Sequence, residues 1–165
     1  MPYFGGVDHA SLAVTDLDRS HHFYTQVLGL VMLMDLGHAR LYLHEKTGFI
    51  LGLHQHEECA SRPFSELNTG LDHISFAVNK EDMAGWEERF DDMGVIYTPL
   101  REMEFGAHLN FRDPDNIALE FFAADEAVAG ARRALAAGEL STEAFAGLAR
   151  EQMAGFESDA KGAKG

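Results

Sequence analysis

The chain has 165 residues, 46% of them hydrophobic and 24% charged, a size and balance that suit a globular protein of one domain or two small modules. Its formal net charge of −14 argues against nucleic-acid binding, which requires basic residues to replace the counterions of phosphates. No apolar run has membrane-spanning length, and the N-terminus does not resemble a signal peptide. The single cysteine, Cys59, excludes an internal disulfide, so a cytoplasmic protein is expected.

In chain order, each half of the sequence predicts a strand, a helix and then a run of strands. In the first half, strands are predicted at 7–14, 30–36, 39–44 and 48–54, with a helix that begins at Asp16 or Asp18 and ends at Gly29. In the second half, strands are predicted at 71–78, 95–101, 107–112 and 116–123, with a helix over 81–93. The predicted division is therefore a first module at 1–54, a linker or lid loop at 55–70, a second module at 71–124 and a helical tail at 125–165, frayed at its end.

The two halves repeat one another, and each copy carries a histidine. The segment Asp8–Val14 (DHASLAV) returns 64 residues later as Asp72–Val78 (DHISFAV), and residues 48–53 match 116–121 at an offset of 68. A repeat of this size indicates one supersecondary unit that has been duplicated, so that positions in one half can be compared with the other.

Alternation along the strands predicts that one face of each sheet is open and polar. Residues two apart on a strand share a face, so His9 and Ser11 lie opposite the apolar Leu12 and Val14. The constant offset also assigns Leu41 and Leu43, the partners of Leu109 and Phe111, to the core. The other side chains then predicted on the open faces are Arg40, Tyr42, His44, His54, His73, Ser75, His108, Asn110 and Glu120.

Three of these residues form a candidate metal site. Glu120 stands between Leu119 and Phe121, where a carboxylate needs a cation or a metal as its partner. With His9 and His73 it makes a set of two histidines and one carboxylate, which suits Fe, Mn, Ni, Co or Zn.

The repeat partner of Glu120 is a glycine, Gly52, so a three-ligand site is expected. His54, on the same predicted face, is either a fourth ligand or a catalytic residue.

The remaining residues of the open faces are assigned to catalysis or substrate binding. Tyr42, His54 and His108 are candidate proton donors or acceptors, because each carries a group that can exchange a proton when its pKa is tuned. Arg40 is a candidate clamp for a carboxylate or enolate oxygen, although a surface role fits Arg40 and Tyr42 equally well. The candidates for orienting a substrate are Ser11, Ser75 and Asn110.

Four motifs together resemble the vicinal oxygen chelate superfamily, which includes glyoxalase I, extradiol dioxygenases, fosfomycin-resistance thiol transferases and bleomycin-resistance proteins. They are DHxxLxVxDL at 8–17, FYxxVLGL at 23–30, DHISFAV at 72–78 and DPDNxxxE at 113–120. The resemblance implies an α+β fold of two tandem βαβββ modules that form curved mixed sheets around a cleft. The short helical tail after residue 124 lies outside the resemblance.

The resemblance also implies a metal held by His9, His73 and Glu120, a small-molecule substrate that chelates it through two oxygens, and a homodimer. Gly52 removes a carboxylate or amide that glyoxalase I and methylmalonyl-CoA epimerase carry, which counts against both. Dioxygenase-, lyase- and thiol-transferase-like activities stay open. The alternative is a non-catalytic small-molecule or antibiotic-binding protein on the same fold.

Overall fold

The computed structural model describes residues 6–57, 64–103, 105–148 and 150. Outside these residues lie Cys59, some of its neighbours in the predicted loop 55–70, and the end of the predicted tail. By its internal contacts the chain divides into two units, and residues of the second repeat belong to both of them. The first comprises Met1–Asp72, Asp92–Ile96 and Arg112–Ala118, and the second comprises His73–Asp91, Tyr97–Phe111 and Leu119–Gly165.

The first sheet has four strands in the order β1-β4-β3-β2. Its strands are β1 (His9–Ala13), β2 (Val31–Asp35), β3 (Ala39–His44) and β4 (Phe49–His54). Strand β1 runs parallel to β4, and the other two pairings are antiparallel. The sheet is therefore mixed, as the strand–helix–strand order of the first half requires.

Helix α1 (Leu17–His22) connects β1 to β2 and is capped by Asp16 rather than Asp18. The Asp16 carboxylate accepts hydrogen bonds from the backbone N–H groups of Asp18 and Arg19, which have no partner inside the helix. A π-helical turn, Phe23–Val27, extends the helix to Gly29, whose φ of 73° lets the chain turn away.

The second sheet repeats this order as β5-β8-β7-β6. Its strands are β5 (Ile74–Ala77), β6 (Arg101–Met103), β7 (Gly106–Arg112) and β8 (Ala118–Ala124). Strand β5 is parallel to β8, and β6 is antiparallel to β7. The strand predicted at 95–101 starts too early, because residues 95–100 contain only an isolated bridge, from Tyr97 to Phe111, and β6 begins at Arg101.

Further helices lie in the second half of the chain. Helix α2 (Met83–Met93) follows a short 3₁₀ turn (Lys80–Asp82), and helix α3 (Glu126–Ala136) begins directly after β8. The Asp125 carboxylate caps α3 by accepting from the backbone N–H of Val128. No helix in the described part of the chain is long and apolar enough to cross a membrane.

Aromatic side chains form the core of the second unit between α2 and the sheet. The ring of Phe90 stacks on Phe121 with centroids 5.8 Å apart, and Phe111 lies 4.7 Å from both. Trp86 packs at 4.5 Å from Phe121. Because Phe121 faces this core, its neighbour Glu120 on the same strand faces the opposite side of the sheet.

Residues 64–66 of the predicted linker or lid are anchored on the turn that follows β7, within the first unit. The N–H of Phe64 donates to the carbonyl of Asp115 at 2.9 Å, and the Asn116 side-chain amide donates to the carbonyl of Phe64 at 2.8 Å. Arg112 donates to both carboxylate oxygens of Glu66, at 2.7 and 3.1 Å. This end of the loop is therefore held by charged and backbone hydrogen bonds.

Candidate metal and substrate site

Glu120 occupies the centre of the open face of the second sheet. In the parallel pairing of β5 with β8, Ser75 is its register partner, and Ser75 Oγ donates to Glu120 Oε1 at 2.7 Å. His108 Nδ1 lies 3.0 Å from Oε2, and it must donate there because an ionised carboxylate only accepts. The side chain is 15% exposed, so the carboxylate is held on both oxygens while its face stays accessible.

His73 and His108 place two imidazoles around this carboxylate. His73, just before β5, has Nε2 at 4.0 Å from Glu120 Oε1 and a side chain that is 46% exposed. His108 Nε2 is buried, and no hydrogen-bond partner for it exists among the described residues. Imidazole nitrogen and carboxylate oxygen are ligands for Zn, Fe, Ni, Mn and Co, so this donor chemistry fits a divalent metal.

The second unit contains two of the three predicted ligands, His73 and Glu120. Within residues 6–57, 64–103, 105–148 and 150, no three His, Cys, Asp or Glu side chains are arranged as a complete metal site. The third predicted ligand, His9, belongs to the first unit.

A cavity of about 370 Å³ opens beside Glu120. Its lining residues are Ser75, Ala77, Glu120, Phe122 and Arg132, all in the second unit. This volume falls in the range of small-molecule sites, about 300–1,000 Å³. Sequence reasoning missed Arg132, since it lies in the tail, which has no counterpart in the repeat. The one available signal was that α3 follows β8 without a connecting loop and so returns over the sheet.

His9 is exposed at the start of β1, with 58% of its side chain accessible. The neighbouring carboxylate of Asp8 lies 2.8 Å from its Nδ1. Carboxylate–histidine pairs of this kind fix the ring tautomer and leave Nε2 available to a metal. The same Asp-His dipeptide recurs at Asp72-His73.

Ser11 and His54 converge over Gly52 on the first sheet. Ser11 is the register partner of Gly52, and a Cβ added at Gly52 would lie 2.5 Å from Ser11 Oγ and 3.2 Å from His54 Nε2. Ser11 and His54 therefore occupy the space above the position that corresponds to Glu120. The His54 ring also stacks on His56, with centroids 6.0 Å apart.

The predicted placement of Tyr42 and Arg40 on the open face is wrong. Tyr42 is fully buried, pairs with the core residue Leu51, and its hydroxyl lies 3.1 Å from His21 Nδ1 of α1. Burial raises the pKa of the Tyr42 hydroxyl above its ordinary value. Arg40 donates to the carbonyl of Leu17 at 2.9 Å and to the Asp18 carboxylate at 2.7 Å, which ties β3 to α1.

A difference in hairpin length explains this error. Four residues, 45–48, connect β3 to β4, whereas five residues, 113–117, connect β7 to β8. A one-residue change in register moves every side chain of a strand to the other face, so the offset of 68 fails along β3. The structure makes Tyr42 the counterpart of the buried Phe111 and leaves Leu41 and Leu43 half-exposed. On β7 the prediction was right, and the half-buried His108 and Asn110 alternate with the buried Leu109 and Phe111.

The Asp113–Asn116 turn serves the structure of the first unit. Asp113 accepts from the hydroxyl of Tyr24 at 3.1 Å and from the N–H groups of Asp115 and Ile117 at 2.9 and 2.8 Å. Burial outweighs these hydrogen bonds and raises the pKa of the Asp113 carboxyl to about 6. The adjacent Asp115 binds Arg19 at 2.7 Å.

Comparison with known proteins supports the fold. The crystal structure of a glyoxylase/bleomycin resistance protein/dioxygenase domain from Frankia sp. EAN1pec is 36% identical, with a TM-score of 0.69 over 75% of this chain and 95% of that one. The metallothiol transferase FosB of Bacillus licheniformis is 26% identical over 112 residues, 67% of this chain and 70% of that protein. Glyoxylase I 4 of Arabidopsis thaliana is 28% identical over 127 residues, 69% of this chain and 68% of that protein.

The family profile covers both sheets. It matches residues 6–121, which contain every strand from β1 to β7 and the start of β8 with Glu120, and it ends before α3. The chain therefore belongs to the Glyoxalase/Bleomycin resistance protein/Dioxygenase superfamily.

Proposed function

We propose that this protein is a divalent-metal-dependent enzyme that acts on a small oxygen-chelating metabolite or xenobiotic. The observation that carries the proposal is the Glu120 carboxylate, which is hydrogen-bonded on both oxygens and lies 4.0 Å from His73 Nε2 beside a cavity. Metal-ligating carboxylates are typically oriented by such hydrogen bonds. The names of both related proteins, a metallothiol transferase and a glyoxylase, support an enzyme.

The proposed ligands are His9, His73 and Glu120. Their donor types are compatible with Fe, Mn, Ni, Co or Zn. Such an ion, when bound, supplies Lewis acidity to the chelating oxygens of a substrate. The Asp8 carboxylate against Nδ1 of His9 supports this assignment, because it presents Nε2 as the ligand atom.

The neighbouring residues have separate proposed roles. Ser75 and His108 act as positioning residues that fix the Glu120 carboxylate, in place of the substrate-binding and catalytic roles predicted for them. His54 Nε2, beside Ser11, is the proposed proton acceptor, since imidazole exchanges protons near neutral pH. Asn110, half-buried on the same face as His108, is proposed to orient the substrate.

Among the predicted reaction types we favour thiol-dependent transfer or lyase chemistry over dioxygenation. Both named relatives point in this direction, because one is a thiol transferase and the other a glyoxylase. Neither relative exceeds 28% identity, so the substrate is proposed only by its oxygen-chelating chemistry.

Elemental analysis of protein purified without chelator tests the proposal. We expect about one equivalent of metal in the wild type and a loss in Glu120→Gln and His9→Ala. The matched control is Glu102→Gln, which removes an exposed carboxylate of the same unit that pairs with Lys80 instead. Full metal content in Glu120→Gln would overturn the assignment.

His54→Ala separates two roles for this histidine. Retained metal with reduced turnover supports the proton acceptor, and loss of metal makes His54 a fourth ligand.

The second candidate is a non-catalytic small-molecule-binding protein. The absence of a complete three-ligand cluster among the described residues, together with the cavity, favours it. A protein that takes up no metal after reconstitution but still binds small molecules would establish this alternative.

We also propose that the protein forms a homodimer through the edge of the first sheet. Within the described part of the chain, strand β2 pairs with β3 on one side and has no neighbour on the other, and it exposes a row of large apolar side chains. The exposed fractions are 41% for Val31, 43% for Met32, 50% for Leu33 and 49% for Met34. Apolar edge strands are sites of association between chains.

A further inference from the structure

We propose that Arg132, on the helix that follows the family-matched region, binds an oxyanionic group of the substrate and thereby selects anionic substrates. The inference rests on the proposed function, because Glu120 lines the same cavity. Carboxylate, phosphonate and phosphate groups share the chemistry that a guanidinium recognises through paired N–H donors.

The position of Arg132 is built by its own helix and sheet. Strand β8 ends at Ala124 and Asp125 caps α3, and Arg132, two turns into the helix, lies over Phe122 of the strand that precedes it. Its guanidinium carbon lies 5.7 Å from the centre of the Phe122 ring. Phe122 in turn packs on Phe105 at 6.1 Å. This cation–π contact orients the arginine at the cavity wall and leaves its N–H donors to a ligand.

A glycine makes room for this aromatic platform. Gly106 has a φ of 149°, and a Cβ there would lie 2.3 Å from the carbonyl of Ala123 and 3.1 Å from the Phe122 ring. A side chain at this position would displace both the strand and the ring. The position of the Phe122 ring beneath Arg132 therefore depends on a glycine at position 106.

The charge environment distinguishes Arg132 from its neighbour Arg133. Arg133 pairs with Glu126 on the same helix, whereas no Asp or Glu of the described residues forms an ion pair with Arg132. The chain as a whole carries a formal charge of −14, so a cavity-lining arginine without a carboxylate partner is the local feature that can attract an anion.

The two charged residues that line the cavity, Glu120 and Arg132, define the ligand. Glu120 repels anions unless a cation compensates its charge, whereas Arg132 attracts them. The ligand that satisfies both has two chelating oxygens at one end and an oxyanion at the other. Ser75, Ala77 and Phe122 complete the lining of the cavity.

A matched pair of probes tests this on metal-loaded protein by calorimetry. The compounds 3,4-dihydroxyphenylacetate and 4-methylcatechol present the same vicinal oxygens, and only the first carries a carboxylate. In Arg132→Gln we expect roughly tenfold weaker binding of the first probe and unchanged binding of the second, the size of one charge-assisted hydrogen bond. Arg133→Gln is the control and should bind both probes like the wild type, and Arg132→Lys should recover part of the loss.

A second arm separates this inference from the metal proposal. Inorganic phosphate is titrated into metal-free protein, and the side-chain N–H signal of Arg132 is followed by NMR. Glu120→Gln should bind phosphate more tightly than the wild type, because it removes the opposing charge even though it abolishes metal binding.

Three outcomes overturn the role of Arg132. The first is an equal loss of affinity for both probes in Arg132→Gln, and the second is unchanged affinity for both. The third is the absence of a saturable shift of the Arg132 signal when phosphate is added to Glu120→Gln. Loss of metal in Glu120→Gln with an intact phosphate shift supports both proposals, and retained metal with that shift overturns the metal assignment alone.

Discussion

The His108 ring and the Glu120 carboxylate form a direct hydrogen bond, Nδ1 to Oε2, at 3.0 Å on the open face of the second sheet. An ionised carboxylate can only accept, so Nδ1 of His108 is the donor in this contact. With Ser75 on the other oxygen, Glu120 has a fixed orientation before any ligand binds. Such preorganisation is what separates a ligand carboxylate from a surface carboxylate.

Substitution of His108 should weaken metal binding without removing a proposed ligand. In His108→Leu the Oε2 atom of Glu120 loses its donor, and we expect a 10- to 100-fold weaker metal affinity, measured by chelator competition. His108→Asn keeps an N–H donor near the same place and should retain most of the affinity. Unchanged affinity in His108→Leu would contradict the positioning role.

A methyl group at Gly52 should destabilise the first unit. In Gly52→Ala the new Cβ meets Ser11 Oγ at 2.5 Å, and overpacking of this kind costs about 1–3 kcal/mol in the free energy of unfolding. Ser11→Gly in the same protein should recover most of the loss in chemical denaturation. Gly85→Ala is the control, since nothing lies within 4 Å of its Cβ in α2, and it should stabilise by about 0.5–1 kcal/mol. A wild-type midpoint in Gly52→Ala would show that Ser11 moves freely.

The buried Asp113 should make stability depend on pH between about 4 and 6. Its folded-state pKa is raised from 3.8 to about 6, so the native state takes up a proton in this window before the unfolded state does. Stability from this group therefore increases as pH falls from about 6 to 4 and is lost as pH rises through about 6, by roughly 3 kcal/mol at most.

The measurement compares unfolding free energies of wild type and Asp113→Asn across this range. The difference between the two proteins should shift in favour of the wild type at low pH. Tyr24→Phe removes a hydrogen bond that lowers the pKa of Asp113, so its transition should move to higher pH. A difference that stays constant from pH 4 to 7 would contradict the raised pKa.

The apolar edge strand β2 should control the oligomeric state. Leu33→Lys places a charge in the proposed interface and should convert a dimer to a monomer in light scattering after size exclusion. Leu67→Lys changes a leucine of the first unit that is 93% exposed and lies outside β2, and it should leave the dimer intact. Since each chain is strongly acidic, added salt should strengthen the dimer. A monomeric wild type would exclude this interface.

Much of the architecture was predictable because the sequence contains the same structural unit twice. The repeat makes the two Asp-His dipeptides equivalent. Strand and helix periodicity predicts the opposite faces of His9 and Leu12 and the glycines at which the helices end. The duplicated strand order confirmed this interpretation, and the central position of Glu120 on its strand followed from a carboxylate between two apolar residues.

The sequence by itself thus determined the duplicated sheets and the face on which Glu120 lies, because these depend on short-range periodicity, and its four motifs indicated the family. Only the tertiary structure decided that Tyr42 and Arg40 lie on the face of the sheet that packs against α1. The reason is that a one-residue difference between two hairpin connections moves every side chain of the strand to the other face. It alone brought Arg132 to the cavity, because the direction of α3 after β8 is set by packing and not by any repeat.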